Sequence, residues 1–156
     1  MKKTLKFAVM AFAAVLTLAA CEKKGGDETN PEPDPAPAPA EVSIDGKQWC
    51  FEWNGIGDPV AAALDLGVTM EGTAMFIIDG SIMGIPGYTP YGGGTYTITK
   101  TDSTSGKIEM TDMGGGVVVF EYKDLTDKTV TINCAVPYMI EDVVATVSEE
   151  KIEVVM

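Results

Sequence analysis

Between Lys47 and Trp53 the large apolar residues alternate strictly with the rest of the chain. Trp49, Phe51 and Trp53 fall on one face, and Gln48, Cys50 and Glu52 on the other. Period-two order of this kind marks a strand with one buried face. It recurs downstream. Thr95–Thr101 turns Tyr96 and Ile98 inward, Lys107–Thr111 turns Ile108 and Met110 inward, and Val117–Lys123 does the same with Val118, Phe120 and Tyr122. Lys128–Val136 places Val130, Ile132, Cys134 and Val136 on one side. Val42–Ile44, Thr73–Asp79, Val143–Val147 and Lys151–Val155 are shorter strand candidates, and Asp45-Gly46, Glu71-Gly72 and the 102–106 Ser/Thr/Gly cluster supply turns.

Residues 58–67 read two ways. Asp58, Pro59 and Gly67 are the cap, first position and stop of a helix. Val60, Ala62, Leu64, Leu66 and Val68 also alternate with their neighbours, and this order favours a strand. Eight or nine short strands joined by tight turns predict an all-β domain over residues 42–156, an antiparallel up-and-down meander closing as a barrel, with a β-sandwich as the alternative. Closure has a physical motive, because an open meander of this length exposes unpaired edges. Residues 80–93 are expected to be a loop. Ile82, Met83, Ile85, Tyr88 and Tyr91 make that loop unusually apolar, so it reads as a lid over one barrel end or as a surface for a partner or for stacking on a glycan, with the lid favoured. Pro137-Tyr138-Met139-Ile140 is a smaller case of the same kind, placed at the same end.

The front of the chain follows different rules. Lys2, Lys3 and Lys6 precede an apolar run from Phe7 to Leu18 that closes on Leu18-Ala19-Ala20-Cys21. From Phe7 to Ala20 there are 14 residues, about 21 Å as a helix, too short for a bilayer span of about 20 residues. Residues 1–20 therefore read as a lipoprotein signal peptide cut between Ala20 and Cys21, with Cys21 fatty-acylated. Residues 21–41 follow as lipidated Cys and spacer. Pro31, Pro33, Pro35, Pro37 and Pro39 stand at every second position, which favours extended polyproline II. Asp27-Glu28 resembles the acidic export signal of surface lipoproteins, interrupted by Lys23 and Lys24. The expected location is the outer membrane, with exposure on the cell surface left open.

Charge narrows the partners. After Cys21 becomes the first residue, 8 lysines face 23 acidic residues, and the whole chain has no Arg and no His. Phosphate backbones require cations, so nucleic acid is excluded as a partner. An anionic membrane surface repels the chain as well, leaving the lipid anchor as its membrane contact. Without His the commonest general base and transition-metal ligand is missing. The glycine triplets at 92–94 and 114–116 lack the Lys-Ser or Lys-Thr of a phosphate loop. No catalytic residue, metal or cofactor is assigned.

Several strings together resemble a known group. These are the lipoprotein signal, the Pro-rich spacer, Ile44-Asp45-Gly46-Lys47-Gln48-Trp49, Leu64-Asp65-Leu66-Gly67-Val68-Thr69, and Gly94-Thr95-Tyr96-Thr97-Ile98 followed by Ser105-Gly106-Lys107-Ile108. They are similar to the small lipocalin-like lipoproteins of Bacteroides-type bacteria. The resemblance implies a β-barrel with a Trp near its first strand and a place in the cell envelope, and no particular substrate.

The candidate sites are correspondingly plain. Cys50 and Cys134 fall on opposite kinds of face, which favours two unlinked thiols over a disulfide. Trp49, Trp53 and Tyr96, with Phe120 and Tyr122, line a ligand cavity or simply fill the core, and small barrels usually fill themselves. Tyr88 and Tyr91 join Trp49, Trp53 and Tyr96 as ligand-binding candidates. The leading reading is a non-catalytic envelope lipoprotein whose barrel binds a small apolar or sugar-like ligand or a protein partner. A structural surface-coat module is the alternative, and a small carboxylate-based hydrolase the outlier. Replacing the acylated cysteine, Cys21→Ser, is expected to move the protein from the membrane to the soluble fraction on cell fractionation. Retention on membranes would contradict the anchor.

Overall fold

A computed structural model describes residues 41–156. The signal segment, the Ala20–Cys21 junction and the spacer up to residue 40 lie outside the described residues. The chain from 48 onward runs as β1 (Gln48–Trp53), β2 (Val60–Leu66), β3 (Thr73–Asp79), β4 (Tyr88–Lys100), β5 (Gly106–Asp112), β6 (Val117–Lys123), β7 (Thr129–Cys134) and β8 (Ile140–Val147). Each strand pairs antiparallel with the next, and β1 pairs with β8 to close the barrel. This is the eight-stranded meander barrel expected from the alternation, of lipocalin-like architecture.

Within residues 58–67 the segment Val60–Leu66 is strand. The β1–β2 register sets Trp49 against Leu64, Phe51 against Ala62 and Trp53 against Val60, so the two alternating patterns share one face. That shared inward face is what overrides the Asp58-Pro59 capping signal. The interior faces expected for β1 and β4 to β7 are likewise those that pack together: Tyr96 and Ile98, Ile108 and Met110, Phe120 and Tyr122, and Val130 and Ile132 belong to one core.

Four expectations need correction. Val42–Ile44 is not a strand. It bends beneath the barrel, and Ile44 is buried in the core. Val136 lies beyond the end of β7 and is exposed, because the chain leaves the sheet at Cys134. Tyr88 onward belongs to β4, so only residues 80–87 of the expected 80–93 loop lie outside the sheet, beginning with a 3-10 turn, Gly80–Met83. Lys151–Val155 is not a ninth barrel strand. It crosses the outer wall, touching the sheet through an isolated bridge between Val154 and Tyr88.

That C-terminal strap explains a second apolar cluster. Ala63, Met75 and Ile77 face outward from β2 and β3, and Ile152, Val154 and Cys50 pack over them. Beside them sits a buried polar group. Asp65 is fully buried and accepts from Gln48 Nε2 at 2.7 Å, Thr69 Oγ1 at 2.6 Å and the Val68 amide at 2.9 Å. Gln48 also accepts from the Ile152 amide at 2.7 Å, tying the strap to β1. A buried carboxylate is tolerated only with its acceptor sites filled, and every buried side-chain N or O among the described residues has a partner. Asp65→Ala leaves the Gln48 and Thr69 donors without their acceptor. It is expected to destabilise the fold by about 1–3 kcal/mol, read as a lower urea midpoint.

Candidate binding end of the barrel

The two barrel ends are built differently. The lower end receives the chain from residue 41 and carries the β2–β3, β4–β5 and β6–β7 turns. There Trp49 is fully buried and its indole Nε1 donates to the Ile44 carbonyl at 2.8 Å. Tyr96 reaches the same end and donates its hydroxyl to Asp45. Burial, followed by that carboxylate, raises the Tyr96 phenol above its ordinary range. Lys100 pairs with Glu41 at 2.9 Å. Ile44 and Trp49 stopper this end.

At the upper end the lumen is crossed by rings. Tyr138, from the β7–β8 connection, stacks on Phe76 of β3 at 4.2 Å between centroids and on Phe120 of β6 at 5.6 Å. Trp53 meets Phe76 edge-on at 5.0 Å, and its Nε1 donates to the Tyr138 carbonyl at 2.7 Å. The lid role expected of residues 80–93 falls instead to Tyr138, 4 % exposed. A glycine makes room for it. A Cβ on Gly92 would land on the Tyr138 hydroxyl.

Tyr91 is placed by an irregularity. Phe76 pairs with Gly92 and Ile77 with Pro90, so Tyr91 is the extra residue of a β-bulge. Bulges re-aim side chains, and this one sets Tyr91 against Trp53 at 5.1 Å with nearly half its surface in solvent. The five ligand-binding candidates are therefore dispersed. Trp49 and Tyr96 lie at the lower end, Trp53 and Tyr91 at the upper end, and Tyr88 on the outer wall beside the strap. They do not come together at one place. Cys50 and Cys134 are free thiols, and burial raises both above the ordinary thiol value, so each is a weak nucleophile.

What the upper end does gather is exposed apolar surface. Ile56 sits in the β1–β2 loop, Ile82 and Met83 in the 3-10 turn, Met113 and Val117 around the β5–β6 turn, and Val136 and Met139 in the β7–β8 connection. With Tyr91 these are eight of the twelve large hydrophobic side chains exposed among the described residues. Met70 is the one at the lower end. Two hollows open among them. One, about 280 Å³, lies between Ile56, Val60, Ile82, Met83 and Tyr91. The larger, about 510 Å³, lies between β6 and the β7–β8 connection, where Val119, Ala135, Met139 and Ile140 are flanked by Glu121 and Glu141.

Sequence reasoning named Met139 within Pro137-Tyr138-Met139-Ile140, but it did not single out Val117 or Val119 as exposed surface. A signal was present in Val117-Val118-Val119-Phe120, an unbroken apolar run on a strand whose neighbours alternate. The chain matches no family model. Comparison with curated proteins gives no match, and comparison with solved structures gives none either.

The Tyr138 stack carries a pH signature. Burial, reinforced by negative charge around it, pushes the Tyr138 phenol up to about 12, against about 10 for an unfolded tyrosine. Above about pH 10 the unfolded chain releases this proton while the folded chain keeps it, so stability falls as pH rises. The contribution is complete below about pH 10 and is lost through about 12. Urea midpoints measured across that range are expected to decline, and Tyr138→Phe is expected to flatten its share of the decline. An equally steep decline in the variant would place the alkaline sensitivity elsewhere.

Proposed function

We propose that this protein is a non-catalytic, lipid-anchored protein of the bacterial outer membrane, acylated at Cys21, whose barrel is a recognition module for a protein partner. The lipoprotein reading rests on Leu18-Ala19-Ala20-Cys21 and the spacer behind it. It agrees with the resemblance to lipocalin-like lipoproteins of Bacteroides-type bacteria. The binding reading rests on one observation, the concentration of exposed apolar side chains at the end opposite to where residue 41 joins the barrel. Exposed apolar clusters of this kind mark interaction surfaces on soluble domains.

A protein partner is favoured over a small ligand inside the barrel because the ring stack of Phe76, Tyr138 and Phe120 bridges the lumen. The surplus of carboxylates keeps the rest of the surface hydrated and repels phosphate-rich partners. Photo-crosslinking in intact cells tests the reading. A photoreactive residue at position 113, at the apolar end, is expected to give a discrete protein adduct, and one at position 70, at the other end, none. Adducts from position 70 alone, or from both positions equally, would contradict it.

A further inference from the structure

The barrel wall is zipped unevenly. Between β6 and β7 the ladder holds only at Glu121–Asn133, Tyr122–Ile132 and Lys123–Thr131. Beyond Asn133 the partner strand turns away. On its other edge β7 stays paired with β8, where Cys134 meets Ile140 across a register shift. Asn133 and Asp142 hold that shift in place, the Asp142 amide donating to Asn133 Oδ1 at 2.7 Å and Lys123 pairing with Asp142 at 2.6 Å. Asp142 and Met139 both take left-handed backbone conformations, with φ of 47° and 49°. Non-glycine residues hold such conformations only where their surroundings impose them.

The first half of β6 is thereby left with a free edge. Asp112 donates its amide to the Gly116 carbonyl at 2.9 Å, closing the β5–β6 hairpin on a hydrogen-bonded pair. Counting along the register, Met110–Val118 and Ile108–Phe120 are bonded pairs as well. Val117, Val119 and Glu121 must then point their N–H and C=O groups away from β5. Glu121 meets Asn133 of β7. Among the described residues, no backbone hydrogen bond reaches the outward groups of Val117 or Val119. Two residues thus offer two donors and two acceptors along the hollow of about 510 Å³, whose apolar lining includes Val119, Met139 and Ile140.

We propose that this edge takes an extended, basic segment of a partner protein as an added strand, paired with Val117–Val119 and seated in the hollow beside Met139. The proposal rests on the reading of the apolar end as a recognition surface and specifies its occupant. Main-chain bonding would supply affinity, and side-chain pockets at alternate positions would supply choice. Charge selects the sign of the occupant. Glu121, already paired with Lys107 at 3.0 Å, and Glu141 flank the hollow, and Glu109 lies directly across the ladder from Val119, three carboxylates against one lysine. Lysine or arginine side chains on the incoming strand would meet these carboxylates.

The same charges argue against the chain's own segments. Residues 31–39 carry proline at every second position, without the N–H a ladder needs, and Glu28, Glu32 and Asp34 are acidic. A second copy pairing through its own β6 would bring Glu121 and Glu141 of each molecule against those of the other.

The test uses the full purified chain and a capped hexapeptide of alternating lysine and valine, followed by amide NMR and hydrogen exchange. Saturating peptide is expected to shift the Val117 and Val119 amides and to slow their exchange about tenfold or more, the signature of new ladder bonds. Val119→Pro removes an outward donor without touching a β5 bond and is expected to weaken binding about tenfold. Should that variant fold poorly, two reagents leave the backbone intact. A peptide N-methylated at alternate residues, or one with glutamate for lysine, is expected to leave both amides unchanged, and Glu121→Gln with Glu141→Gln to weaken binding severalfold. Slow exchange of both amides in the free protein, equal binding of the N-methylated peptide, or no response at millimolar peptide would overturn the proposal. So would changes at these amides with protein concentration alone, which would assign the edge to a second copy. If these tests fail while crosslinking remains confined to position 113, the apolar end still binds a partner and only the added-strand mode is lost.

Discussion

The ring of Tyr138, inserted between Phe76 and Phe120, constrains everything else about this barrel. Those two phenylalanines belong to β3 and β6, separated by two strands in the sheet order, and a third ring between them turns a tube into a packed core. Trp49 and Ile44 do the same work at the other end. Small eight-stranded barrels have an interior just wide enough for side chains to fill or for one small ligand. Here side chains take the space, which leaves the rim and the outer wall as the surfaces for the proposed recognition. The glycine at position 92 is part of the same arrangement, since any side chain there would compete with the Tyr138 hydroxyl.

Much of this was legible in the alternation of side chains. A strand with one buried face leaves a period-two trace, and β1 and β5 left traces clean enough to assign their inward residues. Residues 58–67 were legible once both readings were weighed, because nine positions of alternation outweigh a cap. The failures share a cause. Gln48 and Asp65 sit on the outward faces of β1 and β2, where a sequence reading expects water, yet the strap from Ile152 to Val154 covers them. Burial by a segment about a hundred residues away leaves no local mark. The length of β4 was missed because Pro90 and the glycines at 92–94 signal a loop. The bulge at Tyr91 absorbs Pro90, and the approach of Tyr138 explains Gly92.

The candidate site was less legible than the fold. Aromatic residues drew attention to Trp49, Trp53, Tyr88, Tyr91 and Tyr96, but an aromatic side chain signals bulk before it signals a ligand. Trp49 and Trp53 are core, Tyr96 packs partly buried against that core, and Tyr88 and Tyr91 stand at two different places on the surface. Apart from Tyr91 on β4, the exposed residues that do cluster are aliphatic or Met, gathered from four different connections, and only barrel topology brings those connections to one end. The gap beside β6 is subtler still. It exists because β7 abandons its neighbour one residue after Asn133, a choice tied to the Asn133–Asp142 pairing rather than to any motif in β6.

A solid lumen is the claim on which the placement of the proposed binding surface depends, and xenon reports on it directly, since the gas enters apolar cavities that water avoids. In crystals of the protein pressurised with xenon, the account predicts no gas between Trp49 and Tyr138 inside the barrel. Xenon atoms held within the ring of eight strands would contradict it and return the interior to consideration as a ligand site.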